Sequence, residues 1–497
     1  MKSDYTIKIN FHGGIISPGD LYNILVAAAK FRIGAVSFGL RQQLFIHVSG
    51  ESVHSFINEL KMLNVFFELD EDNAPNIMSS YPAEEVFINN TWLSEGVYKD
   101  ILDAMDHRPK LKINISDSNQ SFTPMLTGNI NWVASESSPH FWHLFIRFPK
   151  TNIIYEWNKM VYTNDVARLS KEVETLILGH PEKFFDTINA NGEELFEWVH
   201  EDNYIVKTAN APAALPPFNL PYYEGLNKYN NKYWLGIYRR DELFGIDFLK
   251  ALCLLCLETK IGQLCSTPWK TIIIKGIEEK DRRRWNQLLE QFQINVRHAA
   301  NELNFQVEDN SLKGLEIKNT LVKALSNDDT RTFGICIGIK TRNKSEIFSS
   351  ILVRRKPLIK IFGIGLLHVY DILCAQGFNP NERTGFVFSR NNPGFLLAEQ
   401  LRRSVISFYN HRADADKQRK KTKTVKKEPP ASLHSETVHQ CTHCHTIYDE
   451  KTGEPENGIR PGTAFENLPL TYTCPLCESP KEDFTRTVKA VLGLQAI

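Results

Sequence analysis

The chain has 497 residues, 42% of them apolar and 23% charged, with a formal net charge of zero. This composition excludes low-complexity, fibrous and wholly disordered chains and leaves room for two to four globular domains. The zero balance argues neither for nor against nucleic acid. No apolar core follows the first residues, and no 18-residue run is free of charge. The expectation is therefore a cytoplasmic protein without a membrane span.

Residues 1–75 open with a strand-like alternation, Tyr5-Thr-Ile7-Lys-Ile9, followed by Gly and Pro punctuation at Gly13-Gly14 and Pro18-Gly19. Helical spacing then runs through Leu21, Ile24, Leu25 and Ala28. A strand at Gln43–Val48 and a helix from about Val53 to Leu63 complete a small α+β unit. The same order recurs in 226–300. Phe31-Arg-Ile-Gly34 aligns with Thr259-Lys-Ile-Gly262, and Leu44-Phe-Ile46 with Ile272-Ile-Ile274, both at an offset of 228 without a gap. Leu25 and Ala28 then match Cys253 and Cys256. The Cys-x-x-Cys of the second copy thus reads as two core thiols on an apolar helix face, in preference to a redox pair.

A longer segment follows each copy. In 76–225 the density of Trp132, Trp142, Trp157, Phe141, Phe145 and Phe148 indicates core and sheet packing. The Pro-rich stretch from Ala211 to Tyr223 reads as a linker. In 301–410, Phe333–Ile339 reads as a buried strand, Ser345–Val353 as a helix and Leu358–Gln376 as a core helix interrupted by Lys360, His368 and Asp371. Gly385–Ser389 is expected to be a strand and Leu397–Tyr409 an amphipathic helix. No nucleotide-binding loop, nucleophile elbow or zinc-protease motif occurs in the chain. Residues 411–437 are basic, free of aromatic side chains and carry Pro429-Pro430, so they are expected to form a disordered linker. No stacking side chains interleave its lysines, so nucleic acid is not the expected partner.

The strongest signal lies in 438–490. Cys441-Thr-His-Cys444 and Cys474-Pro-Leu-Cys477 are separated by 29 residues. Two such pairs can place four thiolates at the corners of one tetrahedron, the donor set of a Zn²⁺ or Fe site. Two disulfides are the alternative, disfavoured in a reducing compartment. Ligand count alone does not select the metal. Between and after the pairs stand Tyr448-Asp449, Gly453-Glu-Pro455-Glu-Asn-Gly458-Ile-Arg-Pro461-Gly462-Thr463-Ala-Phe465-Glu-Asn-Leu-Pro469, Tyr472 and Phe484. This order resembles the rubredoxins. The resemblance implies one mononuclear iron per chain, held by Cys441, Cys444, Cys474 and Cys477 and cycling between ferric and ferrous. It also implies that Cys444 and Cys477 are the solvent-side ligands. Two positions depart from the family, which usually has Gly after each second cysteine: here they are His445 and Glu478.

The body resembles the nitrite and sulfite reductase haemoproteins. The residues that carry this are Gly14-Ile-Ile-Ser-Pro18, Leu40-Arg41-Gln42, Thr267-Pro-Trp-Lys270 and the basic Arg108-Pro-Lys110-Leu-Lys112. The resemblance implies an α+β fold of two ferredoxin-like half-domain repeats, each followed by a larger α+β segment. It also suggests anionic-ligand binding by Arg41, Lys110 and Lys112, against the plainer reading of a solvated basic face. The remaining cysteines, Cys253, Cys256, Cys265, Cys336 and Cys374, lack the Cys-x5-Cys and Cys-x3-Cys pairs that such enzymes use, so no [4Fe–4S]-sirohaem is expected. The expected function is electron transfer to and from redox partner proteins, without a catalytic residue of the chain's own. The alternatives are a divergent nitrite or sulfite reductase with a fused rubredoxin donor, and a zinc-binding structural protein.

Overall fold

The computed structural model describes residues 3–88, 91–185, 190–343, 347–361, 364–425, 437–444 and 446–488. They fall into two compact units, Met1–Arg412 and Ala413–Ile497.

The first repeat begins with the strand Asp4–Ile9 and the helix Pro18–Lys30. Ser17 starts that helix: its hydroxyl accepts the Asp20 N–H, and Pro18 occupies the first turn, where a missing N–H costs nothing. The strands Ala35–Phe38 and Leu44–Ser49 and the helix Val53–Met62 follow. The second repeat reproduces this order at the offset read from the sequence. Asp4–Ile9 maps onto the strand Lys232–Ile237, Pro18–Lys30 onto the helix Ile246–Glu258, and Leu44–Ser49 onto the strand Ile272–Ile277, each 228 residues later.

The two copies are not separate domains. Each lends a short edge strand to the other. Ile15–Ile16 pairs with Leu264–Ser266, Ile16 opposite Leu264, while Phe244–Gly245 pairs with Ala35–Phe38, Phe244 opposite Val36. Shifting the second pair by 228 yields the first, so the exchange is reciprocal and closes one edge of each five-stranded sheet. The central helices Pro18–Lys30 and Ile246–Glu258 pack together in one core with Leu25, Ala28, Cys253 and Cys256, all fully buried. Burial pushes the Cys253 thiol up to about 12 and Cys256 further still, which fits inert core thiols.

The larger segments also share a plan. In the first, strands Met78–Ser79, Ile113–Ser116 and Ile130–Ala134 run parallel, and Phe141–Arg147 and Ile154–Tyr162 continue antiparallel. In the second, Phe305–Val307, Ile337–Lys340 and Ile351–Ile361 run parallel, and Ile364–Ala375 and Gly385–Asn392 follow antiparallel. Trp132, Trp142 and Trp157 are buried in the first segment's core, as their density suggested.

Three expectations are corrected here. Leu358–Gln376 is no helix: it forms most of the hairpin of Ile351–Ile361 and Ile364–Ala375. Ile351, Val353, Ile372 and Cys374 face the core at a period of two, and β-branched residues favour that pleated surface. Asp371, which looked like an interruption, is a buried anchor for Arg354 and Lys356, each at 2.8 Å. Ser345–Val353 is not helical either: beyond residues 344–346, which lie outside the described residues, the chain enters the strand at Ile351. The helix expected to close at Tyr409 instead spans Leu397–Val425, taking in the first part of the expected linker, and 426–436 lie outside the described residues. The Lys-, Arg-, Gln- and Ala-rich composition after Tyr409 consists of good helix formers. Among the described residues, no helix is long and apolar enough to cross a membrane.

Candidate metal centre

The second unit carries a three-stranded antiparallel sheet. Thr437–Cys441 lies between Ile447–Tyr448 and Phe484–Val488. Its core is the aromatic group Tyr448, Phe465, Tyr472 and Phe484, with ring centroids 5.4–6.3 Å apart. The two tyrosine hydroxyls are satisfied by Thr463 O and a Glu454 carboxylate oxygen, both at 2.8 Å.

Two knuckles rise from this small sheet with matching hydrogen bonds. The Cys441 N–H donates to Thr446 O at 2.9 Å, and the Cys474 N–H to Ser479 O at 2.8 Å. Each knuckle therefore turns tightly enough to present both its sulfurs to one point. The four Sγ atoms all lie within 4.8 Å of one another; Cys444 and Cys474 stand at 3.4 Å and Cys441 and Cys477 at 3.6 Å. A tetrahedral ion with metal–sulfur bonds of about 2.3 Å requires sulfur–sulfur edges of about 3.8 Å, so the geometry fits one shared ion. Disulfide bonding, at about 2.05 Å, does not fit. Cys441 and Cys474 are buried, Cys444 is half-buried and Cys477 is exposed, so one edge of the site faces solvent.

The surroundings of the first knuckle favour thiolates. The Cys444 N–H beside Cys441 Sγ holds that thiol below its usual range, against burial. The Thr446 hydroxyl, 3.0 Å from Cys444 Sγ, and the Thr446 N–H do the same for Cys444. In the second knuckle the Ser479 hydroxyl lies 3.1 Å from Cys477 Sγ and draws that thiol down, but the neighbouring Cys444 and Cys441 sulfurs outweigh it and push the thiol up to about 11. Sequence reading overlooked the two hydroxyls. The signal was present, since Thr446 and Ser479 each stand two residues after the second cysteine of a knuckle. His443 and Asp483 tie the first knuckle to the turn that precedes the strand Phe484–Val488, at 3.1 Å. Glu478 has φ 58°, confirming a left-handed position occupied by a residue with a side chain. His445 lies outside the described residues.

The rubredoxin family model matches residues 438–484. Rubredoxin-1 of Chlorobaculum tepidum is 39% identical over 64 residues, 13% of this chain and 93% of that protein. Through this module the chain belongs to the rubredoxin family. Rubredoxin-2 of the same organism is 47% identical over 47 residues, 10% of this chain and 90% of that protein. The high molecular weight rubredoxin of Moorella thermoacetica is 43% identical over 63 residues, but the chain spans only 28% of that protein. The rubredoxin module accounts for about a tenth of the sequence, so the body needs its own comparison. The structure of the Mycobacterium tuberculosis NirA protein superposes with a TM-score of 0.61, covering 82% of this chain and 81% of that one at 15% identity. That likeness is one of fold: the body shares the architecture of that protein.

The body's three expected anion-binding residues are only partly assembled. Arg41 and Lys112 line one cleft of about 350 Å³ with Lys8, Arg342, Glu308 and Asp309. Lys110 is not among its lining residues; its side chain is exposed and its N–H bonds Glu174. Arg41 is turned to structural work. Its guanidinium donates to Asn76 O, Ile113 O and Asn114 Oδ1 at 2.8–3.1 Å. Glu308 and Asp309 add negative charge, with Asp309 pushed above the usual carboxylate range by burial. Among the described residues, the rubredoxin quartet is the one group of three or more metal-ligating side chains drawn together.

Proposed function

We propose that this protein is a one-electron carrier. An iron ion bound by Cys441, Cys444, Cys474 and Cys477 would supply a ferric–ferrous couple without bond making or breaking. The convergence of those four sulfurs within a rubredoxin module carries the reading. The protein's own groups set the energetics. The N–H and hydroxyl donors aimed at sulfur stabilise the more negative, reduced centre, and the exposed edge at Cys477 offers a short route to a partner. Residues 438–484 hold eight Asp and Glu against three Lys and Arg, so a redox partner with a basic face is the complementary one.

The reading extends to the body, which we infer to be a docking scaffold that carries no [4Fe–4S]-sirohaem. Its thiols support this. Cys265 is pushed up to about 11 and Cys336 and Cys374 to about 12, in each case chiefly by burial. Arg41 is engaged with backbone and amide oxygens. The body's fold alone favours a second reading, a reductase of nitrite or sulfite type fed by the module.

The test is the full chain purified aerobically from iron-replete cells that also make sirohaem. The expected result is one iron per chain, a red colour bleached by dithionite, and no haem-type absorption. Zinc as the sole metal would overturn the electron-carrier reading. Sirohaem absorption would replace the scaffold with the reductase.

A further inference from the structure

We propose that the body holds a second site, specific for a small organic anion, in a cleft distinct from that of Arg41 and Lys112. This cleft measures about 740 Å³ and lies among the end of the first strand, the helix Pro18–Lys30, the turn Leu63–Phe66 and the segment Met105–Pro109. That volume suits a ligand of metabolite size.

Three cationic or protonatable side chains meet there: His12, His107 and Arg108. Burial, then Arg108, then His107 hold the His12 imidazole below its ordinary pKa, which reports how close the three stand. His107 already faces two carboxylates, Asp106 and Glu174, each at 3.6 Å, so Arg108 is the cation of the three that no carboxylate offsets. Arg108 makes no ion pair or hydrogen bond among the described residues. Its guanidinium carbon instead lies over the Phe66 ring, 3.2 Å from the centroid, a cation–π contact that holds the group in place and leaves its N–H fork unused. Of the nearby carboxylates, Asp106 is held by Lys171 at 3.0 Å, and Asp20 sits in the first turn of its helix. Asn10 Oδ1, which also lines the cleft, is closed to solvent without a hydrogen-bond partner.

Beside polar side chains such as Asn23 and Asn64, the lining has an apolar part formed by Phe11, Ile24, Val65 and Met105, and Phe66 is 40% exposed. A planar fork beside an apolar trough recognises an oxyanion on an apolar or aromatic frame. The inference does not depend on the metal module.

Calorimetric titration of the full chain tests it, with phenyl phosphate, benzoate, inorganic phosphate, benzyl alcohol and benzylamine as probes. We expect phenyl phosphate or benzoate to bind at least tenfold more tightly than benzyl alcohol, benzylamine and inorganic phosphate. The preferred member of the pair identifies the oxyanion. Arg108→Gln should weaken that binding at least tenfold, and Phe66→Leu should weaken the aromatic anion while leaving inorganic phosphate unchanged. Failure of both aromatic anions to bind, equal binding of benzyl alcohol, or unchanged affinity in Arg108→Gln would overturn the proposal. The selectivity of the unaltered protein decides the question even if a variant fails to fold.

Discussion

The rubredoxin module and the body treat the same residue type in opposite ways. Four of the nine cysteines stand within 4.8 Å of one another, and N–H and hydroxyl donors hold Cys441 and Cys444 toward the thiolate. The other five are buried in the body, and burial pushes their thiols up. Burial by itself makes a cysteine inert. Converging donors and neighbouring sulfurs make it a ligand.

The largest expected effect breaks this contrast directly. Cys474→Ser should abolish the red colour and the iron. It should also unfold the module, because a core of about fifty residues lacks the burial to fold without its metal. Cys256→Ser should leave one iron per chain and cost the body about 1–3 kcal/mol, the penalty of a hydroxyl in an apolar core. Metal analysis and calorimetry separate the two outcomes. Iron loss in Cys256→Ser would end the distinction.

The contrast also explains how much could be read from the chain. The metal site was legible because four ligands on one ion require fixed residue types at short spacings, Cys441 to Cys444 and Cys474 to Cys477. The repeat was legible because Phe31-Arg-Ile-Gly34 and Leu44-Phe-Ile46 have counterparts 228 residues later without a gap, as equivalent turns and core strands require. The exchanged strands Ile15–Ile16 and Phe244–Gly245 were not, since two residues carry no periodicity. The hairpin of Ile351–Ile361 and Ile364–Ala375 was mistaken for a helix because a continuous apolar run has no unique period. Its partner strands, distant in sequence, decided the matter. Arg41 was legible as a cation but not as one saturated by Asn76, Ile113 and Asn114.

A second contrast concerns charge. The module gathers negative sulfurs around a cation, whereas the body buries the cation Lys318. Its ammonium is 1% exposed and donates to the Tyr238 hydroxyl at 2.6 Å. Burial lowers its pKa to about 8 from 10.5. Below about pH 8 both folded and unfolded chains hold the proton, and the folded state bears the full cost. Between about 8 and 10.5 the unfolded chain binds more protons, so this group makes stability rise with pH. Lys318→Met should stabilise the body by about 1–3 kcal/mol at pH 7 and remove that rise. Melting temperatures at pH 7.5 and 9.5 measure both effects; a variant no more stable at the lower pH would refute the assignment.

Within the module, the comparison sharpens to two hydroxyls. Thr446 and Ser479 approach Cys444 and Cys477 at 3.0 and 3.1 Å. Donors to sulfur favour the more negative reduced centre. The double variant Thr446→Val with Ser479→Ala should therefore lower the potential by roughly 20–60 mV, the one-electron equivalent of about 0.5–1.5 kcal/mol. Spectroelectrochemistry reads this without reference to any partner. An unchanged potential would show that the backbone N–H groups suffice.

The smallest expected effect tests whether the module's departure from its relatives has a cost. Glu478 follows Cys477 with φ 58°, and its N–H closes the knuckle onto Cys474 O at 2.9 Å. The turn needs that left-handed conformation to bring both sulfurs of the knuckle inward. A Cβ there meets the following carbonyl, a strain of about 1–2 kcal/mol, from which glycine's larger unfolded-state entropy subtracts about 0.5–1. Glu478→Gly should therefore stabilise the iron-loaded module by about 0.5–1 kcal/mol and slow iron release to a chelator. A slower release with unchanged potential would mean that Glu478 strains the knuckle without tuning the iron. A faster release would mean that the carboxylate itself supports the knuckle.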